Sequence, residues 1–124
     1  MRAMVGAVLL VLGAMPAMAS ELVIKQFVIA KAVVDHDPQG ITDQIPASNS
    51  LAFAFTRFDN IGPTEPVTYV WYLDGKEMKR ATQQIGTSSG WRSYTQMRIK
   101  PGRWRVDLID GSGAVIADRE FEVK

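Results

Sequence analysis

The 124-residue chain sets 14 Lys plus Arg against 13 Asp plus Glu, with one His and no Cys, the balance of one ordinary globular domain. Near-neutrality argues against a nucleic-acid binder, whose domain would carry a basic excess, and against electrostatic attachment to an anionic membrane. The missing cysteines remove thiol nucleophiles, Cys-ligated zinc, iron–sulfur clusters and disulfide staples together.

Met1-Arg2-Ala3 supplies a positive start, Met4 to Leu12 an unbroken apolar stretch, and Gly13 and Pro16 break it ahead of Ala17-Met18-Ala19. This is the layout of a secretory signal peptide over residues 1–19, with small residues where the peptidase needs them. The expected mature chain starts at Ser20 and forms one domain over 20–124. The apolar run is too short and too interrupted to cross a bilayer core of about 30 Å comfortably. No later segment approaches that length, so the expectation is a periplasmic or secreted protein with no membrane span after cleavage. No cysteine follows the leader, which excludes a lipoprotein anchor.

Leu22 to Val34 is dense in β-branched residues and predicts an opening strand buried on much of both faces. Asp35 to Ser50 gathers Pro38, Gly40 and Pro46 among Asp, Asn and Ser, the composition of a long connecting loop. Leu51, Phe53 and Phe55 alternate with Ala52, Ala54 and Thr56, a strand with one bulky face and one small one. After the turn region from Asn60 to Pro66, Val67, Tyr69, Trp71 and Leu73 alternate into Asp74-Gly75, a hairpin signal because a tight turn there needs positive φ. The return strand, Lys76 to Ile85, is polar and suits an edge. Gly86 to Gly90 reads as a loop. Trp91 to Lys100 alternates, Pro101-Gly102 turns the chain, Arg103 to Leu108 alternates again, and Asp110 to Gly113 turns it into a last strand from Val115 to Val123.

Seven alternating strands and no helix predict an all-β fold, a seven-stranded immunoglobulin-like β-sandwich behind the signal peptide. Trp71 occupies the place of the third strand, where such sandwiches bury a tryptophan between the sheets, and is expected at the centre of the core.

The stretch from Val70 to Val123 resembles a bacterial family, domain of unknown function 2914. The matching features are Trp71-Tyr72-x-x-Gly75, Gly90-Trp91-Arg92-Ser93, Gly102-Arg103-Trp104-Arg105-Val106 and the Asp110-Gly111-Ser112-Gly113 turn. The family's earlier Asp-Arg-Glu-Pro-like signature is represented by Asp35-His36-Asp37-Pro38, which lacks its Arg-Glu pair. The resemblance implies a β-rich domain of exported or membrane-associated bacterial proteins and supplies no activity.

Chemistry-bearing residues are sparse. Asp35, His36 and Asp37 are suitable metal-ligand types, but neighbours on an extended chain point to opposite sides, and the stretch reads as a solvated loop entry with Pro38 forming the turn. Ser88 and Ser89 have no Gly-x-Ser-x-Gly elbow around them, and the single His is distant in sequence. No catalytic residue, metal or cofactor is therefore assigned. The densest hint is basic and aromatic: Arg92, Tyr94 and Arg98 on one strand and Arg105 on the next. Paired directly about Pro101-Gly102, these strands would set Lys100 against Arg103 and Arg98 against Arg105, a destabilising arrangement that places them in opposite sheets instead. Arg92, Tyr94, Arg98 and Arg105 are the candidate ligand-binding residues, for an envelope protein or glycan with anionic groups. The expected function is a non-catalytic binding or accessory module of the bacterial envelope. The alternatives are a small carbohydrate-processing or calcium-dependent enzyme and a passive structural subunit pairing through Lys76 to Ile85.

Overall fold

Every stretch that alternates bulky with smaller or polar side chains forms a strand in a computed structural model, which describes residues 21–124. The signal peptide and the start at Ser20 lie outside the described residues. In chain order the strands are β1 (Leu22–Val34), β2 (Asp37–Ile41), β3 (Gln44–Ile45), β4 (Leu51–Asn60), β5 (Glu65–Leu73), β6 (Lys76–Ile85), β7 (Ser88–Arg98), β8 (Gly102–Ile109) and β9 (Val115–Val123). They form a five-stranded sheet, β3-β9-β8-β5-β6, and a four-stranded sheet, β2-β1-β4-β7. Every pairing is antiparallel except the short parallel one between β3 and β9. The two sheets enclose a single core, and the fold is the all-β immunoglobulin-like sandwich expected.

Nine strands replace the seven expected, because the segment from Asp35 to Ser50 is not one loop. Val34 and Asp37 pair across a two-residue turn in which Asp35 has φ 51° and His36 φ 65°. Two positive φ values in succession make the tight hairpin backbone, and Asp and His are among the few non-glycine residues enriched there. Asp35-His36 is thus a hairpin tip. The anticipated hairpin at Asp74-Gly75 has the same form, with φ 49° and 85°, and Lys76–Ile85 is an edge strand as expected.

The core places large side chains of one sheet against small ones of the other. Trp71 and Trp104 meet edge to face at 6.3 Å, and Phe121 stacks on Trp104 at 5.9 Å. Opposite them β4 presents its small face, Ala52 and Ala54, which lets the sheets interdigitate at native density. The bulky face of β4 points away from this core, yet Phe55 on it is 0% exposed.

What covers Phe55 follows from register. Arg57 of β4 lies opposite Gln26, whereas Asp37 of β2 lies opposite Val34, eight residues further along β1. On a flat sheet those positions would stand about 26 Å apart. Asp37 nevertheless comes within 3.7 Å of Arg57 and 4.0 Å of Arg92. The β1–β2 hairpin must therefore fold back over the outer face of the four-stranded sheet. It leaves at Ala30, which pairs with Phe53 on one side and Ile41 on the other and is itself fully buried.

Polar groups inside the sandwich are all partnered: among the described residues no buried side-chain nitrogen or oxygen lacks a hydrogen bond. The Tyr69 hydroxyl lies 2.9 Å from Thr56 Oγ1 and 3.0 Å from Ser93 Oγ, tying the sheets together. Burial pushes its pKa up from 10.0 to about 12. The folded state therefore holds this proton more tightly than the unfolded one. Stability from Tyr69 is full below pH 10 and drains away as the pH rises from 10 towards 12. Denaturant melts across that range should show an alkaline loss on the order of 3 kcal/mol, and Tyr69→Phe should flatten it. An equally steep loss in the variant would assign it to other groups.

Candidate functional site

Strand β7 is the outer strand of its sheet and pairs only with β4. Ser93, Thr95 and Met97 face the core, so Arg92, Tyr94, Gln96 and Arg98 face outward in alternation. The inward positions are partly polar because they serve the other sheet: Thr95 Oγ1 accepts the Trp71 indole N–H at 2.9 Å, and Ser93 receives Tyr69. Tyr94 lies opposite Phe55, packs against Phe53 with ring centroids 6.1 Å apart, and is 39% exposed. Arg98, opposite Leu51, has no ion pair or side-chain hydrogen bond among the described residues.

Beside this row, where the outer strands of the two sheets meet, runs a groove of about 480 Å³ lined by Lys79, Gln83, Arg92, Tyr94 and Gln96. An outer strand carries backbone carbonyls with no strand to bond them. Here β6 supplies the donors through side chains. Gln83 Nε2 donates to Tyr94 O at 2.6 Å and Lys79 Nζ donates to Gln96 O, while Ser93 Oγ donates to Gln83 Oε1. The groove thus has a hydrogen-bonded floor and an open, cationic and aromatic rim.

The structure does not bring Arg105 to this rim, which corrects its inclusion in one patch. As the charge argument required, β7 and β8 lie in different sheets, and Arg105 is on the outer face of the five-stranded sheet. Its guanidinium lies 4.3 Å from the centroid of Tyr72 and bonds Asp107 at 3.0 Å. That hydrogen bond raises the pKa of Arg105. Arg105 lines a second groove, of about 400 Å³, with Arg103, Glu120, Glu122, Asp43 and Asp74 among its walls. Opposite charges are interleaved there, Glu120 facing Arg105 and Glu122 facing Arg103 in register, which leaves this groove without a single dominant sign.

Asp35, His36 and Asp37 do not assemble as ligands, and no group of three or more His, Asp or Glu side chains placed to hold a metal occurs among the described residues. Asp37 faces the two arginines. Asp59 is engaged elsewhere, pairing with Lys25 at 3.7 Å. Lys79, Gln83 and Arg57 are members of this face that the sequence did not single out, and Asp37, notable in the sequence only as a metal-ligand type, joins them. Arg57 had a signal, since it continues the outward row of Phe53 and Phe55 by the same alternation. The others depend on contacts between segments far apart in the chain.

Residues 64–123 match a family model described as Protein of unknown function (DUF2914). The match holds all four motifs from Trp71 to Gly113 and begins after Asp35–Pro38, so the earlier signature lies outside it. Its motifs have structural roles here: Trp71 and Trp104 form the core pair, and Asp74 Oδ1 accepts the Arg103 N–H at 2.9 Å. Gly102 has φ 144°, a backbone conformation that residues with a Cβ rarely adopt, and a Cβ there would force Leu73 Cδ1, 2.5 Å away, to shift. No curated protein matches the chain. Among solved structures it is similar to a β-glucosidase from Kluyveromyces marxianus, at TM-score 0.50 and 12% identity over 86% of this chain. The chain spans 14% of that enzyme's length, and the likeness is one of fold.

Proposed function

We propose, for a chain whose residues 64–123 match the DUF2914 family, that the protein is an exported, non-catalytic binding module of the bacterial envelope. The observation that carries this reading is the outer row of β7, where Arg92, Tyr94 and Gln96 line a groove and Arg98 continues the row unengaged. Guanidinium forks and an exposed aromatic face are the chemistry for an anionic partner such as an envelope glycan. The leader over residues 1–19 supports delivery to that compartment. No helix among the described residues is long and apolar enough to cross a membrane.

Pairing through the edge of β6 is disfavoured by the charges along it, Lys76, Glu77, Lys79 and Arg80. Arg80 and Glu77 also engage each other at 2.9 Å.

The test is retention of envelope polysaccharide fragments by the immobilised protein. The double variant Arg92→Ala, Arg98→Ala should lose binding about tenfold or more, the scale of two charge-assisted contacts, with its melting temperature unchanged within about a degree or two. Arg105→Ala should keep binding. A wild-type protein that retains nothing, or a double variant that binds as wild type does, overturns the reading.

A further inference from the structure

Arg57 and Arg92 lie directly opposite each other on β4 and β7, two cations on one face of adjacent strands. Like charges so placed repel, and neither salt bridging within the pair nor the core requires them. Between them stands one carboxylate, Asp37 Oδ1, 3.7 Å from Arg57 Nη2 and 4.0 Å from Arg92 Nη1. Those separations exceed charge-assisted hydrogen bonds, which close to about 2.7 to 2.9 Å. Two planar donor forks thus converge on a single oxygen that neither bonds, and one positive charge of the three-group cluster stays unbalanced. The Asp37 carboxylate comes from the tip of the folded-back hairpin and belongs to no pairing in this part of the sheet.

We infer that the Arg57–Arg92 pair is a binding site for the carboxylate of an acidic sugar, a uronic acid unit, and that Asp37 is the internal carboxylate which that ligand displaces. The inference deepens the binding-module reading and rests on it. A ligand carboxylate, free of the hairpin backbone that holds Asp37 3.7 and 4.0 Å from the two guanidinium groups, can close on both forks. Tyr94 lies one outward position along β7 from Arg92 and is 39% exposed, a flat surface for the sugar ring. Gln96, one step further, supplies an amide for ring hydroxyls, and the groove beside all three gives a chain of sugars a direction to run. An acidic peptide would use the same forks but has no need of the aromatic step, which favours the sugar.

The experiment is calorimetric titration of the full protein with oligogalacturonate, with fully methyl-esterified oligogalacturonate and with poly-glutamate. Wild type should bind the first, with the neutral ester and poly-glutamate at least about tenfold weaker. Asp37→Asn, which removes the competing charge while keeping the side chain's shape, should tighten oligogalacturonate binding about three- to fivefold, the value of a weak exposed ion pair. Arg57→Gln should weaken it about tenfold or more. Binding that is lost in the Arg92, Arg98 double variant but intact in Arg57→Gln overturns this site while leaving the module reading in place. Equal binding of the ester or of poly-glutamate overturns the acidic sugar, and no binding by either wild type or Asp37→Asn overturns the site. Should Asp37→Asn loosen the hairpin, seen as a lowered melting temperature, Arg57→Gln decides alone.

Discussion

Trp71→Ala should lower the free energy of unfolding by about 3 to 5 kcal/mol, the range for removing a large buried aromatic. Trp71 is 0% exposed and sits on β5, an inner strand of its sheet. It meets Trp104 at 6.3 Å and Phe121 at 6.2 Å, both edge to face. Truncation would leave a cavity that these two rings, stacked on each other, cannot fill without breaking their own contact. It would also strip Thr95 Oγ1 of the indole N–H that reaches it from the other sheet, adding the cost of an unsatisfied buried group. Trp91→Ala is the matched control. Trp91 is 38% exposed and lies over Gly86 at one end of the sandwich, so its loss should cost about 1 kcal/mol. Denaturant melts of the two variants provide the comparison, and equal losses would mean that the core is not centred on Trp71.

The second large effect is expected at Asn60, the last residue of β4. Its side chain joins two backbone segments, the turn that follows it and the end of β6: Nδ2 donates to Pro63 O and Ile85 O at 3.1 Å and to Gly86 O at 3.3 Å, and Oδ1 accepts the Gly62 N–H at 2.9 Å. The residue is 1% exposed, so water cannot take over these bonds after truncation. Asn60→Ala leaves an amide and at least two carbonyls without partners and should destabilise by about 2 to 4 kcal/mol. Asn49 offers the contrast, because its amide also bridges two carbonyls, Lys31 O and Leu51 O, but at a half-buried position. Asn49→Ala should cost about 1 kcal/mol. If both variants melt alike, burial is not what gives Asn60 its effect.

Much of the sandwich was legible along the chain. Apolar alternation of period two is a property of consecutive residues, so it located β4, β5 and β7 to β9, the Asp74-Gly75 turn placed the polar β6, and the β-branched run marked β1 at Leu22–Val34. Asp74-Gly75 announced its hairpin because the turn's backbone requirement is met by those two residues themselves. Asp35-His36 meets the same requirement, but without a glycine and among prolines and acids its composition is that of a loop. Asn60 carries only a turn signal for a similar reason: an Asn beside Gly and Pro suits a turn, and nothing local shows that Ile85 and Gly86 return to it.

The binding face shows the same division. Which residues share one side of a strand follows from alternation, and Arg92, Tyr94 and Arg98 do share the outer side of β7. Avoidance of like charges also sufficed to separate β7 from β8, since paired strands would have set Arg98 against Arg105. The consequence for Arg105, its removal to the far face beside Tyr72 and Asp107, depended on the position of β8 between β9 and β5. The inward turn of the small face of β4 was settled by the size of Trp71 and Trp104 across the core. The meeting of Arg57, Arg92 and Asp37 was settled by the bend of β1 at Ala30, which carries a hairpin tip across the sheet. Neighbours along the chain fix where seven of the nine strands run and which residues of each face together, because alternation and turn chemistry are local. The two short strands between Asp35 and Ser50, the covered faces and the meeting of distant charges come from pairing and bending between segments that carry no local signal for either.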